Sequence, residues 1–481
     1  MALDVAIIGS GFGGMGAAIR LRKAGITNIA IFERATDVGG TWRDNQYPGC
    51  RCDVASNLYS FSFAQNPSWT NSFSFQPEIW RYLQNVADKF NLRPLIKFNH
   101  DVNDISFNHE SKLWTVSTNH GATEACSVIL ATGGLAEPRL PDIAGIDSFA
   151  GPMMHTSRWD SSVDLAGKHV GIIGTGASAV QVIPEIAPIV GHLDVFQRNA
   201  VWVVPHLGHP VKERTRRLFR LLPFAQRLER FYEYWTRELR VLAFVKDPSK
   251  MEKAENGSKM FLAAQVPNAE LRAKLTPNYR IGCKRITISN TYYPTFNREN
   301  VQLTTEGISA IEPTGIRTND GQLHELDVLI LATGFYVAEN PMGEKVHGVN
   351  GETLSASFAG DLPNYKGTSF PDFPNFFMLG GPNTSLGHSS IVFMHESQLN
   401  YVVKTLKFAL RKSALVEPTL HASKQWSDEI EAKTKTTIWG TGCTSWYLNK
   451  NGQNTVVWPD FTFKFRKATR RFEKTDHQIT L

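Results

Sequence analysis

The chain is read as an α/β protein with two Rossmann-like dinucleotide-binding units and a helical insert, and three observations predict it. Apolar strands at Val5–Ile8 and His169–Ile173 each run without a gap into a glycine turn and then a helix. A second short apolar strand follows each turn. The ends of those second strands differ in charge, Glu33 in the first unit and Arg198 in the second, so two different dinucleotides are implied.

The first turn reads Gly9-Ser10-Gly11-Phe12-Gly13-Gly14. Gly9 permits the tight turn, Gly11 lets backbone approach a pyrophosphate, and Gly14 lets helix and strand pack closely. Unpaired N–H groups at the helix start face the anion. Glu33 ends the strand 29–32, about 20 residues past the turn, where a carboxylate holds ribose hydroxyls. The loop beyond it carries Gly39-Gly40-Thr41-Trp42, Tyr47-Pro48-Gly49 and Cys50-Arg51-Cys52-Asp53. Its aromatic, basic and acidic side chains suit a flat polar ring. One residue separates Cys50 from Cys52, the wrong spacing for a redox pair or zinc ligands, and no metal site is expected.

A helical period runs from Pro77 to Leu92, short alternating stretches at 102–107 and 113–116 predict an antiparallel element, and 127–134 is a buried strand ending in small residues. Phe149 to Asp160 then precedes the second unit, whose turn Gly174-Thr175-Gly176-Ala177-Ser178-Ala179 has the GxGxxA form. Arg198 places a guanidinium where a carboxylate would repel a 2′-phosphate, so the first unit is expected to take FAD and the second NADPH.

Between His206 and Pro277 apolar and aromatic residues recur at helical spacing among arginines. Three readings are open: a basic membrane-surface helix, a nucleic-acid patch, or an insert whose apolar face packs on the protein while its arginines are solvated. Pro223 and the interleaved acids favour the last. His206-Leu207-Gly208-His209 lacks a supporting ligand cluster and reads as a loop.

With 481 residues, two or more domains are expected. The hydrophobic fraction of 42% and net charge of +6 are ordinary for a globular protein, and no nucleic-acid partner is implied. Five cysteines, odd in number and without framework spacing, fit a reducing compartment. No apolar run approaches the roughly 18 residues of a membrane span, and the first strand begins almost at Met1, so a cytoplasmic protein is expected.

Gly39-Gly40-Thr41-Trp42 with Tyr47-Pro48-Gly49 and Asp53, the pattern FxGxxxHxxxWD from Phe149 through Gly151, His155 and Trp159 to Asp160, and Phe196-Gln197-Arg198 resemble the Baeyer-Villiger monooxygenases, relatives of the flavin-containing monooxygenases. The resemblance runs nearly end to end, through Gly282–Arg285, Tyr292-Tyr293, 327–335, Gly381–Thr384 and Gly387–Ser390. It implies an FAD-binding domain at 1–148 and 337–481, the latter with a C-terminal lid. It implies an NADPH-binding domain at 149–205 and 280–336 around an insert at 206–279. It further implies insertion of one oxygen atom of O2 beside a ketone carbonyl through a flavin peroxide, giving an ester or lactone. Arg285 is the candidate for the fixed charge beside that anion, being always protonated, and the resemblance gives Asp53 the task of orienting it. By the same resemblance Gly40, Thr41, Trp42, Tyr59, Val102 and Asn383 contact the flavin, Lys284 joins Arg198 at the 2′-phosphate, and Trp446 lies near the nicotinamide. His155 and Trp159 are placed in an interdomain linker. Oxygenation of sulfides or amines and an NADPH oxidase are the alternative activities; Trp159-Asp160, Asp53 and Arg285 favour the ketone reaction.

Overall fold

The computed structural model describes residues 2–356, 363–440, 442, 445–449 and 451–481. Its first sheet has five parallel strands in the spatial order Phe376–Met378, Val128–Leu130, Val5–Ile8, Ile29–Phe32, Ile96–Lys97. Both faces are covered, which is why Val5–Ile8 and Ile29–Phe32 are uniformly apolar rather than alternating. Val5, Ile7, Ile29 and Ile31 face the helix Phe12–Lys23, where Met15 and Ile19 meet them. Ala6, Ile8, Ala30 and Phe32 face the other way, onto a second core with Trp114, Val116 and Phe376. The strands Val102–Asn108 and Leu113–Thr118 belong to a four-stranded sheet that also includes Gly121–Ala125 and Val346–His347.

The second sheet repeats the order with Val301–Thr304, His192–Phe196, His169–Ile173, Val328–Leu331 and Met153–His155, again all parallel. Both glycine turns therefore sit at the carboxyl ends of the central strands, the position at which doubly wound sheets bind ligands. The fingerprint segment is part of this sheet: Met153–His155 is its edge strand, paired with Val328–Leu331. The segment expected as a linker thus contributes a strand, because Gly151 lets the chain lie against Asp327 and start pairing; a Cβ on Gly151 would stand 2.4 Å from the Asp327 carbonyl oxygen.

The insert leaves the second unit after Val203–Val204 and returns at Thr287–Ile288, two strands that pair side by side and close its neck. It holds the helices Glu213–Leu221, Pro223–Glu238, Met251–Gln265 and Ala269–Lys274. The expected orientation of its amphipathic stretch is reversed. Gln226, Arg237 and Glu238 are buried, whereas Phe224, Phe231 and Tyr232 are exposed. Hydrogen-bond demand decides the direction: the segment 57–66 offers carbonyls that an apolar face would leave unpaired. Arg230 donates to Asn57, Leu58 and Ser60 carbonyls and Gln226 to Asn66. At the helix end, Glu238 accepts from Thr462 N and Oγ1, capping the helix Thr462–Ala468.

Among the described residues Cys50, Cys52 and Cys126 are free thiols. Cys283 is disulfide-bonded, which corrects the reading of the cysteines as a reduced set; sequence spacing does not report which sulfurs meet in space. Among the described residues no helix is long and apolar enough to cross a membrane, and no His, Cys, Asp and Glu group is arranged to hold a metal.

Candidate active site

Gly9 has φ +97°, and a Cβ there would stand 2.8 Å from the Ala131 carbonyl oxygen. Gly14 is tighter, its Cβ position lying 1.9 Å from Gly9 O. Gly11 precedes the helix Phe12–Lys23 without any side-chain cap, leaving its first N–H groups for a ligand. Gly40, at φ +52°, brings its backbone against Gly11, so the Gly39-Gly40-Thr41-Trp42 segment starts the short helix Thr41–Asp44 beside the turn. Trp42 donates through Nε1 to the Tyr59 hydroxyl at 3.1 Å, and Tyr59 packs edge-on against Phe12. Glu33 is buried and accepts from Ser10 N (2.9 Å), Ser10 Oγ (2.7 Å), Ala35 N (3.0 Å) and Arg43 Nη1 (3.0 Å). Ser10 and Arg43, absent from the sequence-derived set, are thus its partners. Arg43 lies ten residues from Glu33 with no local period linking them.

The second turn repeats this design. Gly174 has φ +109° and its Cβ position falls 2.5 Å from the Ala332 carbonyl oxygen. Gly176 faces open space, with nothing within 4 Å of a Cβ, and caps the helix Ala177–Ile186 without a side-chain bond. Thr175 Oγ1 donates to Asn199 O at 2.8 Å, tying the turn to the segment after Arg198. Ala179 is fully buried against the sheet and Ser178 is half-buried. Arg198 is exposed and has no ion pair or hydrogen bond among the described residues. Lys284 lies near it, its ammonium 4.5 Å from the Tyr279 ring centroid, and burial together with the Arg198 charge depresses its pKa. Among the described residues no carboxylate pairs with either of these two neighbouring cations.

Asp53 and Arg285 meet between these turns. Arg285 donates to Asp53 Oδ2 through Nε (2.7 Å) and Nη2 (2.5 Å), and through Nη1 to Leu386 O at 3.2 Å. Their side chains are 30% and 25% exposed, so the pair stays accessible. The Asp53 charge, opposed by burial and aided by the Tyr447 environment, raises the Arg285 pKa above its ordinary value. This guanidinium is a permanent cation. Arg237, from the insert, reaches the Asp53 carbonyl oxygen at 3.5 Å. The Tyr447 hydroxyl is buried beside Arg285 without a hydrogen-bond partner among the described residues, and burial pushes its pKa up to about 12. Trp439 and Phe244 stack with centroids 6.0 Å apart, and Gly387 fits against both. The result is a fixed positive charge beside a buried aromatic wall. Arg237 carried no motif, and only its position beside Asp53 singles it out; Tyr447 belongs to the Ser445-Trp446-Tyr447 segment that the resemblance sets near the nicotinamide.

Other sequence-derived candidates occupy different places. His155 is buried, its Nδ1 accepting from Ser157 N at 3.1 Å, and burial lowers its pKa to about 4, so it is neutral. Its ring meets Phe335 edge-on at 5.5 Å. Phe149 and Trp159 pack on separate apolar clusters. Asp160 is exposed and accepts from Ser162 N and Oγ, a local turn. None of these touches Arg285. Asn383, at φ +55°, donates through its side-chain amide to Asn454 O at 2.7 Å and through its backbone N–H to Thr455 O at 2.8 Å. Val102 is buried at the start of its strand, and Trp446 is 39% exposed with its ring 4.4 Å from Tyr447. Cys50 and Cys52 are buried, and burial lifts the Cys50 thiol to about 12, which removes a dithiol reaction from this loop.

Comparison with known proteins agrees with this arrangement. The family profile described as pyridine nucleotide-disulphide oxidoreductase matches residues 6–220. A Baeyer-Villiger monooxygenase of Streptomyces coelicolor is 45% identical, over 99% of this chain and 92% of its own length. One from Pseudomonas aeruginosa is 41% identical, over 99% of this chain and 91% of its own. Among solved structures, the crystal structure of OTEMO in complex with FAD and NADP superposes with a TM-score of 0.89 at 27% identity, covering 100% of this chain and 99% of that one. With two glycine turns of the dinucleotide type, an open arginine between them, and this degree of identity along its length, the chain belongs to the Baeyer-Villiger monooxygenases.

Proposed function

We propose that this chain uses FAD and NADPH to insert one atom of O2 beside the carbonyl of a small-molecule ketone, forming an ester or lactone. The observation that carries the proposal is Arg285 held by Asp53 between the two nucleotide turns with its guanidinium still accessible. The residues fit both nucleotides. A cradle that a Cβ on Gly9 or Gly14 would fill suits a pyrophosphate passing over the first turn, and Arg198 with Lys284 suits a 2′-phosphate. FAD bound there and reduced by NADPH supplies the activated oxygen. On this reading the FAD domain comprises 1–148 and 337–481, and the NADPH domain 149–205 and 280–336, a division supported by the strands each part contributes to the two sheets.

In this reading Asp53 fixes the guanidinium plane by taking both Nε and Nη2 on one oxygen. Arg285 then presents its remaining donors to negative charge that develops on oxygen, without itself giving up a proton. The buried rings of Tyr447, Trp439 and Phe244 keep water from that oxygen. Glu33 orders the first turn through Ser10 and the Thr41 segment through Arg43, so that ribose hydroxyls meet a carboxylate already positioned.

The test is product analysis with FAD-loaded protein, NADPH and isotopically labelled O2 on a mixed panel of ketones and sulfides. An ester or lactone carrying one labelled oxygen is expected. Sulfoxide without ester assigns the chain to heteroatom oxygenation, and NADPH consumption that yields hydrogen peroxide alone makes it an oxidase.

A further inference from the structure

The helix Pro223–Glu238 carries its polar face inward and its apolar face outward. Phe224, Leu228, Phe231, Tyr232, Trp235 and Leu239 recur at helical spacing along one side, and their exposure runs from 38% at Trp235 to 67% at Phe224. The opposite side is anchored by Gln226 and Arg230, so the helix cannot roll to bury the stripe without orphaning those groups. Leu221 (80% exposed) and Leu222 (57%) extend the patch at one end. Phe463 extends it at the other, its ring 6.1 Å from that of Trp235. A contiguous apolar surface of this kind marks a site of association.

Charge around the patch identifies what it meets. Exposed Lys212, Arg214, Arg217, Arg220 and Arg227 flank it along the chain, against exposed Glu213 and Glu229. Among the described residues Glu213 alone pairs with Arg216, Arg217 and Arg220. A second copy of the chain is a poor match, because a two-fold interface would set this basic rim against itself. An anionic phospholipid surface matches both properties: acyl chains take the aromatic and aliphatic stripe, Trp235 and Tyr232 suit the headgroup boundary, and phosphates meet the arginines. We propose that the insert docks this enzyme on the surface of an anionic bilayer, with the helix Pro223–Glu238 lying in the plane of the interface. This proposal goes beyond the catalytic reading and does not depend on it.

Flotation of the FAD-loaded full chain with vesicles tests it, using phosphatidylcholine alone or mixed with phosphatidylglycerol. Binding is expected to the mixed vesicles and at least about tenfold weaker to phosphatidylcholine. The Phe231→Ser/Trp235→Ser variant and the Arg217→Glu/Arg220→Glu variant should each weaken binding by about tenfold or more while flavin content and turnover in solution stay unchanged. Absence of vesicle binding, or binding that neither variant alters, overturns the proposal. Sedimentation velocity supplies the remaining arm: a dimer that Phe231→Ser/Trp235→Ser dissociates assigns the face to a second copy and also overturns it.

Discussion

Neutralising Asp53 is the sharpest perturbation of the proposed chemistry, and Asp53→Asn keeps its shape. Arg285 gives Asp53 both Nε at 2.7 Å and Nη2 at 2.5 Å, leaving Leu386 O at 3.2 Å as its one further acceptor among the described residues. An amide oxygen in the place of Oδ2 still accepts both bonds, but as a neutral group, so the charge that strengthened and aligned them is lost. A charge-assisted hydrogen bond contributes about 1.5–3 kcal/mol, and breaking a fully buried ion pair costs about 3–5 kcal/mol. This pair retains 30% and 25% side-chain exposure, so solvent screening places the loss at the lower figures. About 2–3 kcal/mol of lost positioning corresponds to roughly 30- to 150-fold in the rate of ester formation. Reduction of bound FAD by NADPH needs no charge at Arg285 and should proceed at its original rate. Stopped-flow reduction under anaerobic conditions gives the second quantity, and labelled-oxygen product yield gives the first. Hydrogen peroxide should account for the NADPH no longer coupled to ester. Equal loss of reduction and ester formation would reduce Asp53 to a structural residue, and an unchanged ester rate would remove the pair from catalysis.

Arg198→Ala should raise the KM for NADPH by roughly 10- to 150-fold, from loss of a charge-assisted contact of about 1.5–3 kcal/mol, with little change for NADH; steady-state kinetics with both cofactors decide it, and equal loss shows that Arg198 does not read the phosphate. Gly176→Ala places a Cβ in open space at φ −71°, so thermal stability should move by less than about 0.5 kcal/mol while NADPH affinity falls. Unchanged affinity by calorimetric titration would mean that no ligand backbone passes over Gly176. Burial pushes the Glu233 carboxyl up from its ordinary 4.5 to about 7. The folded state therefore holds a proton that the unfolded state releases between those pH values, and stability falls as pH rises through that window. Glu233→Gln should raise the thermal midpoint at pH 8 and change it far less below pH 4.5; an equal shift at both pH values contradicts the assignment.

The two glycine turns were legible because everything that makes them is local. Strand, turn and helix are contiguous, and Gly9 and Gly174 occupy equivalent left-handed positions against Ala131 and Ala332. Glu33 and Arg198 were legible by distance from the turn along the chain. Arg285 and Asp53 stand 232 positions apart, and no spacing rule links residues so distant; only the family resemblance paired them. The insert marks the opposite limit. Helical periodicity correctly announced two faces, but periodicity carries no information on which face the rest of the protein can satisfy. The carbonyls of Asn57, Leu58 and Ser60 required a donor, and Arg230 supplied it. Buried arginine and exposed phenylalanine follow from that demand, against the usual hydropathy order.

The loop from Tyr47 to Asp53 gives the site its physical logic. The Tyr47 hydroxyl donates to Gln181 Oε1 at 2.9 Å, and Gln181 Nε2 donates to Arg51 O at 3.0 Å. Gly49 lies against the same helix, where a Cβ would come 2.8 Å from Gln181 O. That helix, Ala177–Ile186, begins at the Gly176 turn, so the element proposed to face the NADPH pyrophosphate also braces the loop that carries Asp53. On its other side the loop runs antiparallel to Ser74 and Phe75 and is held to the first unit through Cys52 N and Gln76 N. Asp53 is consequently clamped by both units at once, and its distance to Arg285 depends on how they are docked. A rigid shift of the second unit along the loop would stretch a 2.7 Å charged contact before it broke any strand pairing, since sheet registers are internal to each unit. The weakest link under such a shift is therefore the contact on which the proposed chemistry depends.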